Sequence, residues 1–218
     1  MENKIYYFSL IPLIFFKVIS VYYTDFSIYG DEAQYWFWSK SPDFGYFSKP
    51  PLLAWFLSGH IFVFGDSYFS LKMFPLLVYF FIGFAIYNLC LQLSLSKKVS
   101  GFCAISFLLV PAASLSSFLI STDLLLLLFW TLSLAQLLHI RERGLLINFF
   151  LLGLFLGLAF LAKYAAVYFL FSLFFLLIVD KNTTLSFRKN LFGCLVFFIS
   201  FLIVILPNIF WNIQNSWV

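Results

Sequence analysis

YGDEAQYWFWSKSPDFGYFSKPP, residues 29–51, is the one long stretch in the first half of the chain that is not continuously apolar. It carries Asp31, Glu32, Asp43, Lys40 and Lys49, and Asp25 stands just ahead of it. The segments around it decide what kind of protein this is. Of 218 residues, 63% are hydrophobic, 23% aromatic and only 10% charged. A soluble domain carries roughly 25% charged residues, so this chain cannot hide its apolar surface from water by folding on itself. It reads as an integral membrane protein. Its apolar runs are rich in Leu, Phe and Ile and lack alternation of period two, which points to helices rather than a barrel. The expected fold is all-α, with about seven transmembrane helices and short interfacial helices in the first outer loop.

A short polar start is followed by an apolar run over 5–23. A cleaved signal peptide competes for this run, but it contains Lys17 and ends in Val21-Tyr22-Tyr23-Thr24 rather than in small residues. It reads as a retained first span, with Lys17 snorkelling or facing protein. After the polar stretch, 51–64 is apolar but about 14 residues long, short of the roughly 20 needed to span a bilayer. Pro50-Pro51 stops what precedes it and suits the start of a helix. An interfacial helix is expected there, anchored by Trp36, Trp38 and Trp55, with His60 as a structural histidine. Spans then follow at 69–95, 99–119, 123–140, 145–161, 164–179 and 191–206, the last closed by Pro207.

Charge placement predicts orientation. Lys97-Lys98, Arg141-Glu142-Arg143 and the 181–189 link hold seven of the thirteen basic residues and fall on the side of Lys4 if the spans alternate. The positive-inside rule puts these links and the N-terminus in the cytoplasm. The 25–67 loop, Asp123, Lys163 and the C-terminus then face outward. The net charge of +4 is spent on topology and is no nucleic-acid signal. Cys90, Cys103 and Cys194 sit in apolar runs without CxxC or Cys/His spacing and read as small buried hydrophobes. The chain reads as a single transmembrane domain over 1–218. Its end in a polar, aromatic stretch, WNIQNSWV, leads to the expectation of an interrupted protein.

Candidate chemistry lies on the outer side. Asp31 and Glu32 suit a base acting on an incoming substrate, or Asp31 caps a short helix with Gln34 as its partner. Tyr35, one helical turn from Asp31, is an aromatic candidate for substrate contact. Lys49, held extended by the two prolines, can meet a phosphate or simply snorkel. Lys163 lies between two apolar runs, and ionisable residues in such places are functional candidates. Asp123 either caps its helix or takes part in catalysis. A lysine that holds a lipid phosphate and a carboxylate that deprotonates an acceptor hydroxyl would together serve sugar transfer.

The stretch GDEAQYWFWSKSPDFGYFSKPPLLAWF resembles the first outer loop of the polyprenyl-phosphate-sugar-dependent glycosyltransferases of the GT-C class. This class includes dolichyl-phosphate-mannose–protein mannosyltransferases and aminoarabinose transferases. STDLLLLLFWTLSLAQL, GLFLGLAFLAKYAAV and PNIFWNIQNSW resemble the bacterial branch in the same order. The resemblance covers most of this chain but the N-terminal part only of a family member. It implies Asp31 as the acidic catalytic residue with Glu32 beside it, and Lys49 as the residue holding the lipid phosphate. Asp123 and Lys163 match recurring polar positions. The implied reaction is inverting transfer from a polyprenyl-phosphate sugar at the outer face of a bacterial cytoplasmic membrane. In the aminoarabinose transferases an acidic residue tied to a metal site precedes that lysine; Ser48 stands there in this chain. No metal is therefore carried over, and a divalent cation stays an open alternative.

The implied partners are the sugar-carrying polyprenyl phosphate, membrane lipids and, for an interrupted chain, a partner that supplies further helices. A non-catalytic subunit that binds polyprenyl-phosphate lipids is the competing class. A transporter is disfavoured, since no repeat and no inner-facing charge within a span is seen.

Overall fold

A computed structural model describes the backbone of residues 2–23 and 27–217 and the side chains from residue 10 onward; Asp25 and the Lys4 side chain fall outside it. The described residues form helices joined by short links, with no strand among them beyond one isolated antiparallel bridge between Tyr46 and Lys49. In order these are α1 (Glu2–Tyr23), α2 (Gly30–Ser39), α3 (Leu52–Phe64), α4 (Tyr68–Gln92), α5 (Lys97–Leu109), α6 (Pro111–Ser116), α7 (Thr122–Glu142), α8 (Leu146–Ala162), a 3-10 turn (Tyr164–Ala166), α9 (Val167–Val179), α10 (Lys181–Lys189) and α11 (Leu191–Gln214).

Short polar side chains start several helices by taking an otherwise unpaired N–H. Ser67 accepts from Ser70 ahead of α4, Ser96 from Val99 ahead of α5, Asp180 from Thr183 ahead of α10, and Asn190 from Gly193 ahead of α11. Gly65 and Gly144, both at positive φ, follow the ends of α3 and α7, where a left-handed residue commonly closes a helix.

The protein is an all-α integral membrane protein. Helices α4, α7 and α11 are each long and apolar enough to cross a bilayer, and the bent pair 164–179 and 181–189 makes a fourth if taken as one span. Residues 146–162, expected as a span, are apolar but shorter, so the seven expected spans are not all met by length; 52–64, expected to lie at the interface, is shorter still. The expected span over 99–119 is broken at Pro111, which cannot donate to the carbonyl one turn back. The expected stop at Pro207 is a correction: α11 runs through it to Gln214. Proline costs a helix interior one hydrogen bond, but a membrane helix tolerates that when its neighbours support it. Large side chains such as Phe62, Phe102, Phe174 and Phe175 stand exposed, a surface suited to lipid and not to water.

Residues divide into two compact units, 1–42 with 53–124, and 43–52 with 125–218. In the first, α4 packs against α5 and α1, and α3 buries Leu53, Ala54, Leu57 and His60 at helical spacing. In the second, α8 packs along α11 over a core that includes Phe149, Leu152, Leu156 and Phe197. The approach is close because Gly153 and Gly157 face α11: a Cβ on Gly153 would lie 2.0 Å from Ser200 Oγ, and one on Gly157 2.8 Å from Val204 Cβ. This is the small-residue spacing that lets membrane helices touch backbone to backbone.

Candidate active site

In the first unit, α2 begins at Gly30, so its first turn carries Asp31 and Glu32. Carboxylates there meet the positive end of the helix. One step along a helix turns the side chain by about 100°, and the two acids part accordingly. Asp31 is exposed and Glu32 is buried, 2% exposed. Glu32 Oε1 accepts from Lys72 Nζ at 2.8 Å and from the Ile120 backbone N–H at 2.9 Å. Its Oε2 accepts from Lys72 Nζ at 2.7 Å and from the Tyr29 N–H at 3.0 Å. A carboxylate offers about four lone-pair sites, so Glu32 is saturated. Expected beside Asp31 as a second catalytic acid, it has no lone pair left for a substrate proton. It also does the capping expected of Asp31 with Gln34: Glu32 is the residue that reaches back to the Tyr29 N–H at the start of α2.

Tyr35, one turn on, is buried with only 4% exposed and stacks edge-on with Trp38 at 5.8 Å between ring centroids. Burial holds its phenol above the ordinary value of 10.0, and the Asp31 charge adds to this; a side-chain hydrogen bond with Thr122 pulls the other way, and the Asp123 charge again raises it. Two expected site residues, Asp31 and Asp123, thus act on the hydroxyl of a third. Asp123 is exposed in the first turn of α7. Further along the loop, Trp36 Nε1 donates to Asp66 Oδ1 at 2.7 Å and Lys40 pairs with the other oxygen of Asp66. The Lys40 ammonium holds the Asp66 carboxyl below its ordinary range, with Trp36 adding to the effect. His60 Nε2 donates to the Ser70 carbonyl at 2.8 Å, the structural role expected of it.

In the second unit, residues 43–49 form a tight loop in which Tyr46 and Lys49 exchange backbone hydrogen bonds of 3.2 Å around Ser48, which takes a positive φ of 64°. Asn208 donates from Nδ2 to the Phe44 carbonyl at 2.7 Å, and Gly45 lies flat on Trp211, where a Cβ would come within 2.3 Å of the ring. Asn212 Nδ2 donates to the Tyr164 hydroxyl, which donates to Asn208 Oδ1, each at 3.2 Å. Lys49, half-buried, joins Tyr46, Ser48, Tyr164, Asn208 and Asn212 in the wall of a cavity of about 640 Å³. Lys163 caps the end of α8 in an extended conformation directly before Tyr164. Among the described residues no three His, Cys, Asp or Glu side chains converge into a group that could hold a metal ion.

A family model described as dolichyl-phosphate-mannose-protein mannosyltransferase matches residues 48–211, most of the chain. The chain belongs to this family. Among curated proteins it is similar to a lipid A galacturonosyltransferase of Rhizobium johnstonii, 29% identical over 194 residues, which is 88% of this chain and 40% of the relative. The chain thus spans less than half the length of that relative. No solved structure matches it significantly.

Three polar positions in this family member carried a signal that went unread. Lys72 is the one charged residue in the apolar run 68–92, and a charge inside a span needs a partner. Asn208 and Asn212, one helical turn apart in PNIFWNIQ, share a face. Lys17 faces protein, as one of its two expected readings had it: its Nζ donates to Ser114 O, Ser114 Oγ and Ser117 Oγ at 3.1, 3.0 and 2.7 Å.

Proposed function

We propose that this chain carries the catalytic outer loop of a membrane glycosyltransferase. That enzyme moves a sugar from a polyprenyl-phosphate donor to a hydroxyl of a lipid, glycan or protein at the outer face of a bacterial cytoplasmic membrane. Membership of the mannosyltransferase family supports the reaction class, and the relative's name supports a lipid acceptor among the alternatives. The observation that carries the residue assignment is the divergence of the acidic pair: Asp31 is open to solvent while Glu32 is consumed by four donors.

In this reading the Asp31 carboxylate takes the proton of the acceptor hydroxyl as its oxygen attacks the anomeric carbon. The bond from that carbon to the lipid phosphate oxygen breaks, and the phosphate leaves with the electron pair, giving inversion. The Lys49 ammonium neutralises the charge that grows on the departing phosphate. Asp123 and Tyr35, coupled to each other in the first unit, are assigned to substrate contact, and so, in the second unit, is Lys163.

The test uses membranes that contain the chain, polyprenyl-phosphate-linked sugars and labelled acceptor. Asp31→Asn lowers the transfer rate by about 10²–10⁴-fold, and Lys49→Ala weakens retention of polyprenyl phosphate. Transfer unchanged by Asp31→Asn would sink the base assignment, and lipid binding indifferent to Lys49→Ala would sink the phosphate role. A second reading, a non-catalytic subunit that binds such lipids, is favoured by an apolar groove of about 820 Å³ in the first unit, walled by α1, α4 and α6. Lipid binding without any transfer, in native and Asp31→Asn chains alike, would select it.

A further inference from the structure

Glu32 and Lys72 form an ion pair that is almost wholly buried, 2% and 5% exposed. Stability alone does not account for it, because a buried ion pair is often no more stable than apolar residues of the same volume. What distinguishes this pair is the set of backbone groups it holds. Glu32 takes the Tyr29 N–H at the start of α2, next to Asp31, and the Ile120 N–H just ahead of α7. Lys72 spends its remaining donor on the Phe118 carbonyl at 3.3 Å. Residues 117–121 link α6 to α7: the Ser117, Phe118 and Leu119 N–H groups still bond back to Ala113, Leu115 and Ser116, and the chain then leaves the helical pattern, with the Ile120 N–H donating to Glu32. Irregular backbone in a membrane protein persists only where protein groups satisfy it, and here a carboxylate and an ammonium do so from α2 and α4. Ile120 is fully buried, and the residues after it are Ser121, Thr122 and Asp123.

We infer that the Glu32–Lys72 pair is a positioning clamp: it ties the start of α2 to the start of α7 and so sets the Asp31 and Asp123 carboxylates relative to the Tyr35 hydroxyl. The inference deepens the reading of Asp31 as the base and rests on it. In this inference neither residue acts on the reacting atoms; both edge the groove of about 820 Å³ in the first unit and work through the backbone they hold. A neutral pair would fill the space but could not hold two backbone N–H groups and a carbonyl in one geometry. Removing the ammonium alone leaves a buried carboxylate short of two of its four donors, so the 117–121 link loosens and Asp123 leaves its place beside Tyr35.

The experiment follows Tyr35 directly, which makes it independent of turnover. 3-Fluorotyrosine is placed at position 35 and its ¹⁹F signal is titrated in the full chain in lipid nanodiscs, beside transfer kinetics with a polyprenyl-phosphate sugar. In the native chain this phenol ionises above free fluorotyrosine. In Lys72→Met its titration moves back toward the free value, and kcat falls by about 100-fold, as expected for a displaced reacting group, with KM unchanged. Lys72→Arg restores both. Should Lys72→Met fail to fold, the double variant Glu32→Gln/Lys72→Met removes both charges at similar volume and is expected to show the same two changes. A folded single or double variant that keeps the native Tyr35 titration and kcat would overturn the clamp. So would a change in KM alone, which would make Lys72 a binding residue, and so would failure of both variants to fold, which would make the pair structural only. Transfer that survives Asp31→Asn defeats the base reading instead, and the Tyr35 titration still decides the clamp.

Discussion

Asp31 and Glu32 are chemically near-identical neighbours, and only their direction along α2 separates their work. The helix turns Asp31 out to solvent and Glu32 into a nest of four donors. Tyr35 feels both Asp31 and Asp123, and that has a consequence for alkaline stability. Its phenol ionises above 10.0 when folded and near that value when unfolded. A group whose folded pKa is raised contributes its full stability below the unfolded value and loses it as pH rises through the folded one. The native chain should therefore weaken above pH 10.0 more steeply than Tyr35→Phe, as read by thermal unfolding in detergent between neutral and strongly alkaline pH. Equal alkaline slopes for the two would show that the phenol is not held in its neutral form. The acidic pair and Tyr35 were visible from the sequence as candidates. Which acid is free was not, because that depends on where Lys72 and the Ile120 N–H come to lie, 40 and 88 residues away.

At the level of elements, the helices themselves were legible from apolar run length and polar punctuation, since backbone groups in lipid must pair within the helix. The breaks were harder. Pro111 ends α5 while Pro207 passes inside α11, and the difference lies in what surrounds each proline, not in the residue. The α8–α11 contact is set by Gly153 and Gly157, whose missing side chains leave room for Ser200 and Val204. Gly157→Leu should force the helices apart and cost about 1–3 kcal/mol, measured as a lowered midpoint in denaturing-detergent titration. The same change at Gly59, with nothing within 4 Å of its Cβ position, should leave the midpoint within experimental scatter. Comparable loss at both sites would mean that close packing on α11 is not the cause.

For the whole molecule, the charge bias predicts that the loop bearing Asp31 faces outward and that Lys97-Lys98 faces the cytoplasm. In intact cells expressing a chain freed of its own cysteines, a cysteine at Ser41 should react with a membrane-impermeant maleimide. One at Lys98 should react only after the membrane is opened. The reverse pattern would place the loop inside and end the case for transfer at the outer face. The membrane class of this protein and its family-like loop were determined by sequence alone, because apolar runs of this length have one solvent that suits them and the loop's residues are contiguous. The assignment of tasks within the loop was decided by tertiary structure. Hydrogen-bond saturation of Glu32 by Lys72, Tyr29 and Ile120, the seating of Gly45 on Trp211 and the coupling of Asp123 to Tyr35 all join residues far apart in the chain. Such contacts exist only once the helices pack, so no local pattern could announce them.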